Sequence, residues 1–211
     1  MIYKLRAGVV LFLVACVISG CASGNSHTVV PDYGKKGIRL IALAPVDNKT
    51  GDGQAAQLLR ERIFQALYFK GYPRIPLDMI DEQLTAGCGW TPGDKTCDVS
   101  PGVIGKLLGV DAVMYCSLLE WETSFIGVYA RTEVSASLEL KDAVTGETLW
   151  SSRDRITDRH YDVTRKRLEQ KAYQSYEPAV RRIVQETLST LPDGPDSPGK
   201  PPPEKKFWKI W

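Results

Sequence analysis

From Val128 to Leu140 the chain alternates. Val128, Ala130, Thr132, Val134, Ala136, Leu138 and Leu140 are mostly apolar, while Tyr129, Arg131, Glu133, Ser135, Ser137 and Glu139 are mostly polar. A period of two predicts a strand with one face packed and one face wet, hence antiparallel pairing. "DAVTGETLW" turns it into a following strand, so residues 125–155 are expected to form a hairpin. "GIRLIALAPV", stopped by Pro45, and "VDAVMYCSLLEW" are continuous apolar runs of the kind buried on both sides of a sheet.

Helical spacing occupies the stretches between. From Gln54 to Lys70, the positions Ala56, Leu59, Ile63 and Leu67 make one stripe, Arg60, Glu61 and Gln65 face away, and Gly71 stands where a C-cap belongs. "YPRIP" predicts a short extended segment and "LDMIDEQL" a short helix. "SPGVIGKLLG" offers Ser100 as N-cap, Pro101 at the first helical position and Gly109 as stop. A long helix is predicted from Thr164 to Leu191 on Val180, Val184, Leu188 and Leu191, with Pro178 starting or kinking its second half. The expected architecture is α/β: a single-domain sandwich of a mixed β-sheet with packed helices and a long C-terminal helix.

The ends differ from this domain. Lys4 and Arg6, the apolar residues 7–18 and the small pair Ser19 and Gly20 read as a secretory signal over residues 1–20, too short to span a bilayer. "LVAC" and "ISGC" both resemble the bacterial lipobox, whose cysteine becomes the acylated N-terminus. Cys21 is favoured over Cys16 because it leaves a fuller apolar segment and is followed by polar "ASGNSH". Ala22, which is not an aspartate, follows it and matches the outer-membrane sorting pattern. Residues 21–37 are expected to be a flexible tether, 38–191 the domain, and 192–211 a proline-rich tail. That tail ends in "KKFWKIW", where Phe207, Trp208, Ile210 and Trp211 alternate with lysines in a pattern that suits a headgroup interface or a partner groove.

"IALAPVDNKTG", "LGVDAVMYCSLLEW", "DAVTGETLWSS" and "GYPRIPLDMIDEQL" resemble segments of an outer-membrane lipoprotein family that includes a neisserial vaccine-candidate antigen. That family lies within the TolB amino-terminal and curli-secretion-lipoprotein superfamily. The likeness covers residues 38–191 and rests on structural motifs. It implies a lipid-anchored protein at the outer membrane, facing the periplasm, with envelope proteins as partners and homo-oligomerisation open.

Removing residues 1–20 takes Lys4 and Arg6 from 27 basic residues and leaves the 25 acidic ones balanced, so no nucleic-acid footprint is expected. Cys88 and Cys97 flank the turn-rich "CGWTPGDKTC" and are expected to pair in an oxidising compartment, with free thiols as the alternative and a metal site disfavoured by the spacing. Cys116 reads as a core thiol.

Catalytic signatures are weak. "GDGQAA" fits a Gly-x-Gly-x-x-Ala fingerprint, but "DNKT" separates it from its strand, so a helix-entry loop is expected. His160 lies between Asp158 and Asp162 in what reads as a surface turn. No cofactor and no catalytic residue is expected. The sequence reads as a non-enzymatic assembly, secretion or scaffolding component of the envelope, with a module engaging a peptidoglycan synthase or a glycan as the alternative.

Overall fold

The computed structural model describes residues 26–197, apart from 92 and 95–97. Among the described residues six strands form one mixed sheet: β1 Ser26–Val29, β2 Ile41–Leu43, β3 Asp47–Asn48, β4 Ala112–Ile126, β5 Tyr129–Asp142 and β6 Thr148–Tyr161. The order across the sheet is β1-β6-β5-β4-β2, with β3 continuing the β2 edge beside β4. The β2 and β3 segments pair in parallel with β4, and the other pairings are antiparallel. Four α-helices accompany them among the described residues: α1 Gly53–Phe69, α2 Leu77–Cys88, α3 Pro101–Leu108 and α4 Arg165–Leu188.

The alternation in β5 decides which face is covered. Its even positions from Ala130 to Leu140 are all buried and point at α1 and α4, which bury Leu59, Ile63, Leu67, Val180, Ile183, Val184 and Leu188 against Met114, Cys116, Leu118 and Trp150. On the opposite face, α2 and α3 cover only the β2–β4 side through Ile80, Leu84, Ile104, Ala42 and Val113. The odd positions of β5 stay partly wet, as one-sided alternation requires, except Ser135, which is buried and donates to the Asp154 carbonyl.

Arg60 does not face away into solvent. Its guanidinium grips Asp81 of α2 through two 2.7 Å hydrogen bonds and donates a third, 3.1 Å long, to the carbonyl of Leu43. α1 and α2 lie on opposite faces, so this fork closes over the β2 edge, the part of a sheet most open to unwanted pairing.

Several boundaries move. The expected tether 21–37 contains β1, which pairs with β6, and a 3-10 turn over Tyr33–Lys35 that buries Tyr33. "YPRIP" stays extended but joins no strand. The expected hairpin is a three-stranded meander of 14- and 15-residue strands, so His160 stands on β6 and not in a turn. α4 runs through Pro178 as one helix of 24 residues.

The tail is also shorter than expected. Residues 192–197 return to the C-terminal end of α1. The Gly194 amide donates to the Lys70 carbonyl at 2.7 Å, the Asp196 amide to the Gly71 carbonyl at 3.0 Å, and the Tyr72 hydroxyl to the Pro192 carbonyl at 2.9 Å. Gly71 has φ +86°, and the two backbones approach so closely that a side chain on Gly194 would strike the Gly71 carbonyl. Only glycine fits both positions.

Candidate functional site

A cleft of about 720 Å³ opens where the parallel strands end and α1 begins, the usual ligand side of such a sheet. The start of α1 is its first wall, and Asn48 shapes the loop that leads into it. Its side-chain carbonyl accepts from the Thr50 amide at 3.0 Å and the Thr50 hydroxyl at 2.8 Å, and Asp52 caps α1 by accepting from the Ala55 amide at 3.0 Å. That Asx turn and N-cap are what "DNKTGDG" encodes, and no dinucleotide loop forms.

β4 supplies the second wall through a bulge between Leu118 and Glu120. Before it Met114, Cys116 and Leu118 face the helices; after it Trp121, Thr123 and Phe125 do, because one extra residue reverses the alternation. Trp121 thereby stacks on Tyr176 of α4, ring centroids 4.4 Å apart and planes 19° from parallel. The Tyr176 hydroxyl shares hydrogen bonding with Thr123 at 2.8 Å, and Thr123 with Thr132 at 2.9 Å. Gln54, Ala55, Leu58, Glu122, Tyr173, Gln174 and Glu177 complete the lining. The result is an aromatic and amide surface for contact. Asp52 is spent on its cap, and Glu177 accepts from Arg62 and Arg181.

A second groove of about 620 Å³ runs between the C-terminal turns of α1 and α4, floored by Ala66, Phe69, Val184 and Leu188.

His160 has no catalytic neighbour. Asp158 binds Arg182, Asp162 accepts from Thr164 and pairs with Lys171 at 2.9 Å, and the His160 Nε2 is buried without a hydrogen-bond partner. The Thr164 amide and Lys171 hold the Asp162 carboxyl well below the ordinary aspartate range. Among the described residues no His, Cys, Asp and Glu group could hold a metal ion, and no helix is long and apolar enough to cross a membrane.

Cys21, Cys97, Phe207, Trp208, Ile210 and Trp211 lie outside the described residues. The structure lends no support to the expected bridge from Cys88. Its thiol is free and half-buried at the end of α2, packed against the α2–α3 core. Cys116 is a buried free thiol, pushed well above the ordinary cysteine range by burial and, second, by Asp47.

Residues 33–189 match the GNA1162-like lipoprotein family. The chain belongs to this family. Lipoprotein GNA1162 from Neisseria meningitidis is 23% identical in sequence over 66% of this chain and 96% of its own, with a TM-score of 0.51. A PelC dodecamer from Paraburkholderia phytofirmans shares the fold at 13% identity and a TM-score of 0.52, over 79% of this chain and 97% of its own. No match is found among curated protein sequences. The family match begins after β1 and stops at Ser189, so the edge strand and the returning segment 192–197 lie outside it.

Proposed function

We propose that this lipoprotein is acylated at Cys21, held in the outer membrane facing the periplasm, and works through protein contacts in envelope assembly, secretion or scaffolding without a catalytic step. The observation that carries this reading is the Trp121–Tyr176 cleft. It combines exposed aromatic surface with amide groups, as protein-binding surfaces do, while Asp52 is committed to a helix cap and Glu177 to ion pairs, which leaves Glu122 as the one carboxylate of the described lining outside a cap or an ion pair. An acid–base pair or an activated nucleophile would need a second free group beside it. Membership in a lipoprotein family supports the anchor, and the lipobox-like "ISGC" supports its position. "KKFWKIW" supplies a further docking element beyond Ser197.

Photo-crosslinking in intact cells tests the reading. A photoreactive residue replacing Tyr173 should give discrete adducts with envelope proteins or with a second copy, whereas one replacing Met79 on α2 should not. Absence of adducts at Tyr173, or equal adducts at both positions, refutes the cleft as the contact surface. Intact mass should show acyl chains on Cys21, and Cys21→Ser should release the chain from the membrane fraction.

A further inference from the structure

The far end of the meander carries apolar side chains that nothing among the described residues covers. A two-residue turn, Gly127 at φ +57° followed by Val128, joins β4 to β5, and the Asp162 amide donates to the Val128 carbonyl at 3.0 Å, fixing the β6–α4 turn beside it. Ile126, Tyr129 and Tyr161 are cross-strand neighbours, with the two tyrosine rings 5.2 Å apart. Ile126 is 73% exposed, Val128 55%, Tyr161 64% and Val163 88%. Contiguous exposure of this kind marks an interaction surface.

Directly beneath this row, on the same face, Arg131 lies across from Arg159. Like charges in directly opposed positions disfavour a sheet. Arg131 is bridged by Glu133 at 2.6 Å, but among the described residues Arg159, and Lys166 and Arg167 in the first turn of α4, have no ion-pair partner. An anion between the two guanidinium groups would relieve the opposition. An apolar edge backed by cations is the pattern that seats at a lipid headgroup interface.

The chain's own geometry selects a membrane over an acidic protein. β1 is antiparallel to β6: Val29 is level with Trp150 and Ser26 with Arg153. Followed backwards, the chain therefore heads toward the tip. Five residue steps separate Ser26 from Cys21, a reach of about 17 Å, while the tip at Tyr161 stands about 26 Å beyond Arg153 along the strand. An acyl anchor on Cys21 thus brings this end of the domain to the bilayer. Thr190, bonded to Trp150 Nε1 at 3.1 Å, holds the segment leading to the tail at the start of β6, the end facing away.

We propose that the Ile126–Val128 hairpin tip, with Tyr161 and Val163, is a second membrane contact that enters the headgroup region of an anionic leaflet while Arg131 and Arg159 hold lipid phosphates. The proposal rests on anchoring at Cys21 for its choice of partner. The test uses the mature protein reconstituted in vesicles of phosphatidylethanolamine with phosphatidylglycerol, and in phosphatidylcholine vesicles, read by amide hydrogen exchange. In phosphatidylglycerol vesicles the amides of residues 126–129 and 161–163 exchange at least about tenfold more slowly than in phosphatidylcholine, while the β5–β6 turn at the opposite end keeps its rate. Arg131→Gln with Arg159→Gln removes that difference, and Val128→Asp removes the protection altogether, with flotation and thermal unfolding unchanged in both variants.

Equal tip rates in the two vesicles, with the protein floating normally, overturn the proposal. So does slowing by soluble polyglutamate that vesicles do not reproduce, which assigns the tip to an acidic protein. Failure to float with Cys21 unmodified refutes the anchor instead, and the same exchange comparison with added vesicles still decides the tip.

Discussion

Replacing Gly194 by alanine tests whether residues 192–197 belong to the fold. A Cβ at this position would sit 2.3 Å from the Gly71 carbonyl oxygen and 2.5 Å from its carbon, distances no real contact shows, and Gly71 is itself held at positive φ. Neither backbone can yield, so the segment must lift. Lifting it breaks the bonds from Gly194 to Lys70, from Asp196 to Gly71 and from Tyr72 to Pro192. At about 0.5–1.5 kcal/mol each, the three bonds together are worth about 2–4 kcal/mol. The exposed Lys70–Asp193 pair adds little. For a domain of this size, about 2–4 °C per kcal/mol sets the expected loss at roughly 4–16 °C in Tm. Gly53→Ala is the matched control. It stands at the start of α1 with nothing within 4 Å of its would-be Cβ, and it is expected to raise stability by about 0.5 kcal/mol. Differential scanning calorimetry of both variants decides. Unchanged melting of Gly194→Ala would show that the segment does not pack on α1 and that the tail begins at Pro192.

Glu186 carries a raised pKa, first through burial and second through the neighbouring Asp154 carboxyl, so its protonated form favours the folded state and that contribution is lost as pH rises. Glu186→Gln should therefore match the parent chain below the ordinary glutamate value of about 4.3 and melt higher at neutral pH, by thermal denaturation across pH 4 to 7.5. Asp81→Asn weakens the fork that Arg60 makes over the β2 edge and should cost about 1–3 kcal/mol in urea unfolding, more than Lys49→Gln, whose partner Asp47 is bridged at the surface. Gly105→Ala places a methyl 2.6 Å from Ala143 Cβ and 3.1 Å from its carbonyl oxygen, and should destabilise by about 1–3 kcal/mol through overpacking of α3. With native protein, a thiol reagent should modify Cys88 well before Cys116, and equal rates would contradict the burial of Cys116 on β4.

The covered face of the sheet was legible because side-chain alternation in an antiparallel strand has one physical cause, a single packed side. The stripe of α1, the proline and glycine bounding α3, and the long final helix were legible for the same kind of reason: each is local. The N-terminal strand was not. "SHTV" is four exposed residues whose pairing depends on a free β6 edge more than a hundred positions away. Residues 192–197 looked like solvated linker on composition, and only the distant Gly71, left without a side chain, gives them a surface to rest on. Arg60 falls on the polar side of α1 by spacing, yet a long side chain reaches an adjacent helix that spacing within α1 does not describe.

The cleft and the hairpin tip share one further cause. Up to Leu118 the even residues of β4 face the helices; without the bulge Trp121, Thr123 and Phe125 would face away, and Ser124 and Ile126 would face inward. One inserted residue places Trp121 against Tyr176 and at the same time places Ile126 on the outer face beside Tyr129 and Tyr161. Apolar and polar residues fail to alternate cleanly across "SLLEWETSFI", so the sequence marks an irregularity there without fixing its position. A bulge at Leu118 is therefore what couples the contact surface of the cleft to the apolar edge of the tip. Deleting Leu119 to restore regular alternation should disturb both together, removing Tyr173 crosslinks and tip protection in the same variant, whereas substitutions within either surface should affect that surface alone.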